Sequence, residues 1–344
     1  MHPLKRFIAG IGSHISTPQL IALTGKRLVL PFYHVVSNTH LPHIAHLYQY
    51  KTVAQFEQDL DWLLQYFEPV SLHQIMAHKP ANYFDKPAFH LTFDDGLREA
   101  AEVIAPILLR RGIPATFFIN SAFIDNKGLF YRYKVSLIID HIQQNDVSRG
   151  ELEGIRAMMP KGAPKLAHQE DIKNLLMTLG YEHQFVINQI AETFELDFGS
   201  FLRLQKPYMV KSQVRQLIAD GFTIGAHSID HPMYNKLELI EQTEQTLESV
   251  HYVQEVFQIP YRAFAFPFTD QGVRNNFFEA MYHHGTPQLD LSFGTAGLKK
   301  DIWPQHLQRI AMEDKGHNAQ ENTRAAYLTS LVQQLLGINR IKRR

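Results

Sequence analysis

The 344-residue chain is 45% hydrophobic and 20% charged, which supplies a full apolar core and excludes a disordered or fibrous protein. Its 34 Lys and Arg balance 34 Asp and Glu, so it lacks the basic field of a nucleic-acid binder, and no nucleic-acid partner is expected. Without cysteine there is no disulfide, thiolate nucleophile or Cys-type zinc site, and any metal must sit on histidine and carboxylate.

At the start, Lys5 and Arg6 precede the apolar run Phe7-Ile8-Ala9-Gly10-Ile11-Gly12. That run is shorter than a signal-peptide core and has no clear cleavage site, so it reads as a mature N-terminus. No stretch approaches the roughly 20 apolar residues that cross a bilayer. The expectation is a cytoplasmic protein with at most peripheral membrane contact. No Gly/Ser- or Pro-rich linker divides the sequence, and one domain over residues 1–344 is expected.

Seven short β-branched or aromatic runs follow in chain order: Leu28–Val36, Phe89–Phe93, Ala115–Asn120, Phe222–His227, Arg262–Phe268, Ser292–Ala296 and Arg309–Glu313. Longer segments of helical periodicity separate most of them, the sequence form of repeated βα units. Phe56, Leu60, Leu63, Leu64 and Phe67 recur at three- and four-residue intervals and predict a helix with one apolar face. Leu97–Arg111 predicts a second helix, stopped by Gly112 ahead of Pro114. Ser212 reads as the N-cap of a helix over Gln213–Asp220, with Gly221 at its end.

Over 126–207 the βα rhythm is lost, and Ile172, Leu175, Leu176 and Leu179 predict helices. This is read as a helical insertion over the barrel face that carries the loops. Residues 322–344 read as an amphipathic helix, with Tyr327, Leu328, Leu331, Val332, Leu335 and Leu336 on one face and a basic end at Arg340, Lys342, Arg343 and Arg344. Such a helix closes a barrel; its basic end also suits weak contact with an anionic membrane surface.

Two short motifs carry chemistry. In His90–Gly96 the carboxylates of Asp94 and Asp95 fall at the C-terminal end of a strand, where barrel active sites are built. Adjacent side chains on a strand point to opposite faces, so the two share a site only because the strand ends there and Gly96 turns the chain. In Gly225–Pro232, His227 and His231 again follow a strand; four-residue spacing brings both rings to one side of a single turn. Paired carboxylates repel unless a cation lies beside them, so a divalent metal explains the pairing. Two imidazoles, one carboxylate and a water suit zinc first, and also cobalt, nickel or manganese.

Thr92-Phe93-Asp94-Asp95-Gly96 together with His227-Ser228-x-x-His231 resembles the first two motifs of the polysaccharide deacetylases, carbohydrate esterase family four. Tyr33-His34, Pro114–Ile119 and Phe264-Ala265-Phe266-Pro267-Phe268 extend the match to roughly residues 28–125 and 208–313. The resemblance implies a distorted, TIM-barrel-like barrel of about seven βα units, in agreement with the seven runs. It implies Asp94 as catalytic base, and Asp95, His227 and His231 as metal ligands. It further implies the Phe268 backbone N–H as oxyanion donor, with His34, Pro267 and Phe268 on the substrate side.

Two departures matter. The family's base-orienting arginine falls at Ala265, which leaves Arg262 or Arg309 to reach Asp94, and Arg309 is the expectation. The family's acid histidine, in a Leu-x-His pattern, falls on Leu307-Gln308-Arg309; His306, His317 and His34 are the candidates to replace it. An Asp-x-x-Asp-Trp-like motif is absent, although Asp290 precedes Ser292–Thr295. The expected function is metal-dependent removal of acetyl groups from acetylated carbohydrate, such as N-acetylhexosamine in an envelope polysaccharide. Hydrolysis of a non-sugar amide by the same metal barrel, and a non-catalytic carbohydrate-binding homologue, both remain open here.

Overall fold

The computed structural model describes residues 15–77, 84–159, 168–283, 286–313 and 316–343. The apolar run before residue 13 and the last basic residue, Arg344, lie outside them. The strands are β1 (Leu28–Val29), β2 (Pro31–Tyr33), β3 (Glu68–Pro69), β4 (Ala88–Phe89), β5 (Leu91–Phe93), β6 (Ala115–Ile119), β7 (Thr223–Ala226), β8 (Ala263–Ala265), β9 (Leu291–Gly294), β10 (His306–Gln308) and β11 (Ile310–Ala311).

Eight of them form one parallel sheet in the order β10-β9-β8-β7-β6-β5-β2-β11. Its two edges are neighbours in the chain, separated by Arg309 alone. The Arg309 N–H donates to Gly294 O at 3.1 Å, and the next N–H, of Ile310, donates to Leu30 O at 2.9 Å. Pairing thus passes from β9 to β2 within one residue and the sheet closes into a barrel of seven passes. β1 and β4 form the lower halves of the first two passes, and β4 lies between β1 and β3 in a small parallel sheet.

These strands read as unbroken apolar runs because helices cover one side and the barrel core the other. Every residue of β6 is buried, and Phe93 stacks between Tyr33 and Phe117, with ring centroids 5.9 and 5.1 Å away. Gly225 is obligatory on β7, since a Cβ there would lie 2.3 Å from the Phe118 ring.

Helices over Val53–Tyr66, Ala105–Arg111, Lys211–Ala219, Leu239–Phe257, Asn275–Tyr282 and Ala319–Leu335 surround the sheet. The first buries Phe56, Leu60 and Leu63, while Leu64 is exposed, so the apolar stripe is narrower than the periodicity suggests. The second begins as a π-helical turn over Ala100–Ile104 and stops at Gly112, φ 64°. The third starts before Ser212: its N-cap is Val210, whose N–H is held by the Gln213 side chain at 3.0 Å.

The C-terminal helix also differs from expectation. It runs Ala319–Leu335 behind an Asn318 cap and buries Tyr327 and Leu328, but Leu335 and Leu336 are exposed. Arg340, Lys342 and Arg343 lie beyond it on an extended tail that pairs with the Lys300 backbone, because Arg343 is anchored to Asp270 and Asp301. That tail lies beside the one barrel crossover, residues 295–305, that carries no helix.

Between β6 and β7, five α-helices among the described residues from Tyr131 to Gln205 pack around their own apolar core, including Ile138, Ile142, Ile172, Leu176 and Ile187. This excursion leaves and rejoins the barrel beside Gly96: Asp125 N donates to Met209 O, and Met209 N to Gly96 O. Among the described residues no helix is long and apolar enough to cross a membrane.

Candidate active site

β5 ends at Phe93, and the next residues turn sharply. Asp95 has φ 73° and Gly96 φ 68°, where a Cβ would press on Ile119 at 3.2 Å. Asp95 in the left-handed region is what swings its carboxylate to the side of Asp94. Ser228 and His231, at φ 67° and 66°, do the same for the second motif. His227 and His231 are therefore joined by an irregular loop rather than a helical turn, tied by the His231 N–H to Ser228 Oγ at 3.0 Å. Left-handed backbone on side-chain-bearing residues costs energy, and its concentration in these loops marks geometry that the surrounding structure enforces.

Asp94 is buried, and Arg309 grips it with two parallel hydrogen bonds, Nη1 to Oδ1 at 2.7 Å and Nη2 to Oδ2 at 2.8 Å. Nη1 also donates to Thr92 Oγ1 and Nε to Gly294 O, while the guanidinium carbon lies 4.4 Å from the Phe32 ring. Burial alone would raise the Asp94 pKa, but Arg309 and then His227 outweigh it and leave the carboxyl below its usual value. Arg262 is elsewhere, paired to Asp290 at 2.9 Å. At Ala265, where the family places arginine, the backbone oxygen takes up a task instead: it accepts from His227 Nδ1 at 2.8 Å. That bond leaves the lone pair of His227 on Nε2.

Asp95 Oδ1 lies 3.2 Å from His231 Nε2 and 3.5 Å from His227 Nε2, yet accepts no hydrogen bond in its buried setting. An unpaired buried carboxylate oxygen is costly. Ligand atoms set tetrahedrally about a zinc ion, each about 2.0–2.1 Å from it, lie about 3.3 Å apart, so the three atoms fit a divalent cation. The other oxygen, Oδ2, accepts from Tyr133 Oη at 2.6 Å. Burial opposes ionisation of Asp95, but His231 and His227 hold its pKa well below the usual range; burial lowers that of His231.

Of the three histidines considered as acid, only His34 reaches this place. His306 is enclosed by Asp270 and Ser292, and His317 pairs with Glu321 at the surface. The His34 ring, a quarter exposed, bonds through Nδ1 to Glu313 Oε2 at 2.5 Å, and Glu313 Oε1 also accepts the His34 and Val35 backbone N–H groups. Burial would depress the His34 pKa, but Glu313 and then Asp95 and Asp94 raise it to about 9.

A cavity of about 260 Å³ opens over the cluster, lined by His34, Tyr48, Asp94, Asp95, Arg132 and Phe268 among others. Phe268 has φ 54°, and its backbone N–H donates to no acceptor among the described residues. Pro267 makes the turn before it but does not line the cavity. Sequence reasoning missed Tyr133, Tyr48 and Glu313. Tyr48 Oη is buried without a hydrogen-bond partner. Both tyrosines sit among aromatic residues that read as core, and Glu313 closes the final strand run as an unremarkable acid.

The polysaccharide deacetylase family model matches residues 81–286, well over half of the chain. Among solved structures the chain is similar to the Streptococcus pyogenes deacetylase PplD in complex with acetate: 12% identity, TM-score 0.51, covering 85% of this chain and 95% of that one. It is also similar to a de-N-acetylase from Aggregatibacter actinomycetemcomitans: 16% identity, TM-score 0.50, covering 86% and 99%. At these identities the likeness is one of fold. No curated protein sequence matches the chain.

Proposed function

Because the chain belongs to the polysaccharide deacetylase family, we propose that it is a metal-dependent hydrolase that removes acetyl groups from N-acetylhexosamine in an envelope polysaccharide. The observation that carries the metal is the bare Asp95 Oδ1 between two imidazole nitrogens. Asp95, His227 and His231 would hold a divalent ion, zinc first, with cobalt, nickel or manganese as alternatives. Such an ion supplies Lewis acidity to the acetyl carbonyl and lowers the pKa of a water.

The remaining steps fall to the protein's own groups. Asp94, kept ionised and fixed in orientation by Arg309, accepts a proton as the water oxygen bonds to the acetyl carbon. The unpaired Phe268 N–H donates to the developing oxyanion. His34, kept protonated by Glu313 and facing the cavity, gives its proton to the sugar nitrogen as the C–N bond breaks, releasing acetate and an amine. The aromatic walls and Arg132 offer stacking and hydrogen bonds to a sugar, and the 126–207 helices form the groove wall.

A non-catalytic reading drew on the missing arginine and acid histidine; Arg309 and His34 supply groups for both roles from other strands. The test couples metal analysis to acetate release from acetylated glycans, with small cyclic amides alongside. Expected are metal and acetate release in the wild type, metal without turnover in Asp94→Asn, and neither in His227→Ala. A metal-free, fully active wild type would overturn the proposal, and turnover of the amides alone would move it to another substrate class.

A further inference from the structure

A second cavity, of about 530 Å³, lies between the loop after β8, the loop after β9 and the C-terminal tail. Thr295 lines both this cavity and the one over Asp94, so the two adjoin. Arg274, Lys299, Arg340 and Lys342 line it, and their side chains form no ion pair among the described residues. The one carboxylate in the lining, Asp270, is committed: it accepts from Arg343, His306 and Gln308. In a chain whose charges balance overall, four cations around one hollow leave a local excess with no internal partner among the described residues.

The tail that delivers two of these cations is fixed in place. The Arg343 side chain is nearly fully buried, bonded to Asp270 at 2.5 Å and Asp301 at 2.7 Å, and the Lys300–Arg340 pairing holds the backbone. Burying one arginine to dock a basic strand beside the catalytic mouth gives that strand a defined position relative to the substrate.

We propose that this hollow binds an anionic substituent of the glycan, a carboxylate or phosphate oxyanion on a sugar near the acetylated one. The inference rests on the deacetylase reading and deepens it by naming the substrate as an acidic glycan. Lys299, Arg340 and Lys342 are specificity-determining residues: they draw in the charged neighbour while the acetylated unit lies over Asp94.

The test compares acetate release from three oligosaccharides of one backbone, neutral, uronate-bearing and phosphate-bearing, by wild type and by the triple variant Lys299→Ala, Arg340→Ala, Lys342→Ala. Arg343 is kept, so the tail stays docked. The wild type should show about tenfold lower KM for an anionic substrate at low salt, with kcat unchanged. High salt should erode that preference, and the variant should lose it while turning over the neutral substrate normally. The arm with the lower KM identifies the oxyanion. Equal KM values in the wild type, or a preference that survives in the variant, would overturn the inference. If no substrate is turned over, the hydrolase reading fails. Calorimetry with the unacetylated anionic oligosaccharides then decides the hollow alone: wild type binding more tightly than the variant supports it, equal binding refutes it.

Discussion

Two buried clusters in this barrel use the same donor types. Asp95, His227 and His231 converge under the mouth cavity; Asp270, Asp301 and His306 converge beside the C-terminal tail. In the second, the Arg343 guanidinium stands where a cation would, with Nη2 at 2.5 Å from Asp270 and 2.7 Å from Asp301. In the first, no Lys or Arg among the described residues pairs with Asp95, and Asp95 Oδ1 and His231 Nδ1 have no hydrogen-bond partner. Donor identity therefore does not distinguish a metal site from a structural knot. The distinction lies in which acceptors the protein leaves bare.

The contrast can be broken by substitution. Asp94→Asn should lower kcat about 10³-fold, within the range for losing a general base, with metal content retained on elemental analysis; loss of the metal instead would make Asp94 a ligand. Arg343→Met strips the buried Asp301 of its ion-pair partner and Asp270 of one of its donors, and should cost about 3 kcal/mol in urea unfolding, with metal stoichiometry unchanged. Two metal ions per wild-type chain, rather than one, would make the second cluster a metal site after all. Tyr133→Phe removes the hydrogen bond to Asp95 Oδ2 and should weaken metal affinity by about tenfold in a chelator competition; unaltered affinity would reduce Tyr133 to packing.

The smallest effect at neutral pH is the most diagnostic of the acid. His34 has a raised pKa, so its proton, and the stability of its pair with Glu313, are present at low pH and lost as pH rises through about 9. The rate should fall on that limb. Glu313→Gln should move the limb down toward the ordinary imidazole range and leave rates at pH 6 nearly unchanged; a limb that stays near 9 would remove His34 from the role.

Much of the scaffold was legible because a parallel strand buried on both faces reads as a solid apolar run, and seven such runs became seven passes. The Asp94-Asp95 and His227/His231 pairs were legible because each stands where such a run stops. What escaped depended on distant partners. Nothing in Ala265 reveals that its carbonyl orients His227, and nothing in Tyr133 distinguishes a group bonded to Asp95 from the core aromatics around it. The C-terminal helix is shorter than its apolar spacing suggests, because Leu335 and Leu336 continue that spacing after the packing surface has ended.

Arg309 has a consequence for how the molecule comes into being. It is the link at which the first and last strands meet, and its guanidinium reaches back across more than two hundred residues to Asp94. In a chain emerging from the ribosome the Asp94 carboxylate stays unclamped until Arg309 has been made. The clamp on Asp94 and the closure of the ring are therefore one event, and under the proposed mechanism a partly folded chain would lack its oriented base.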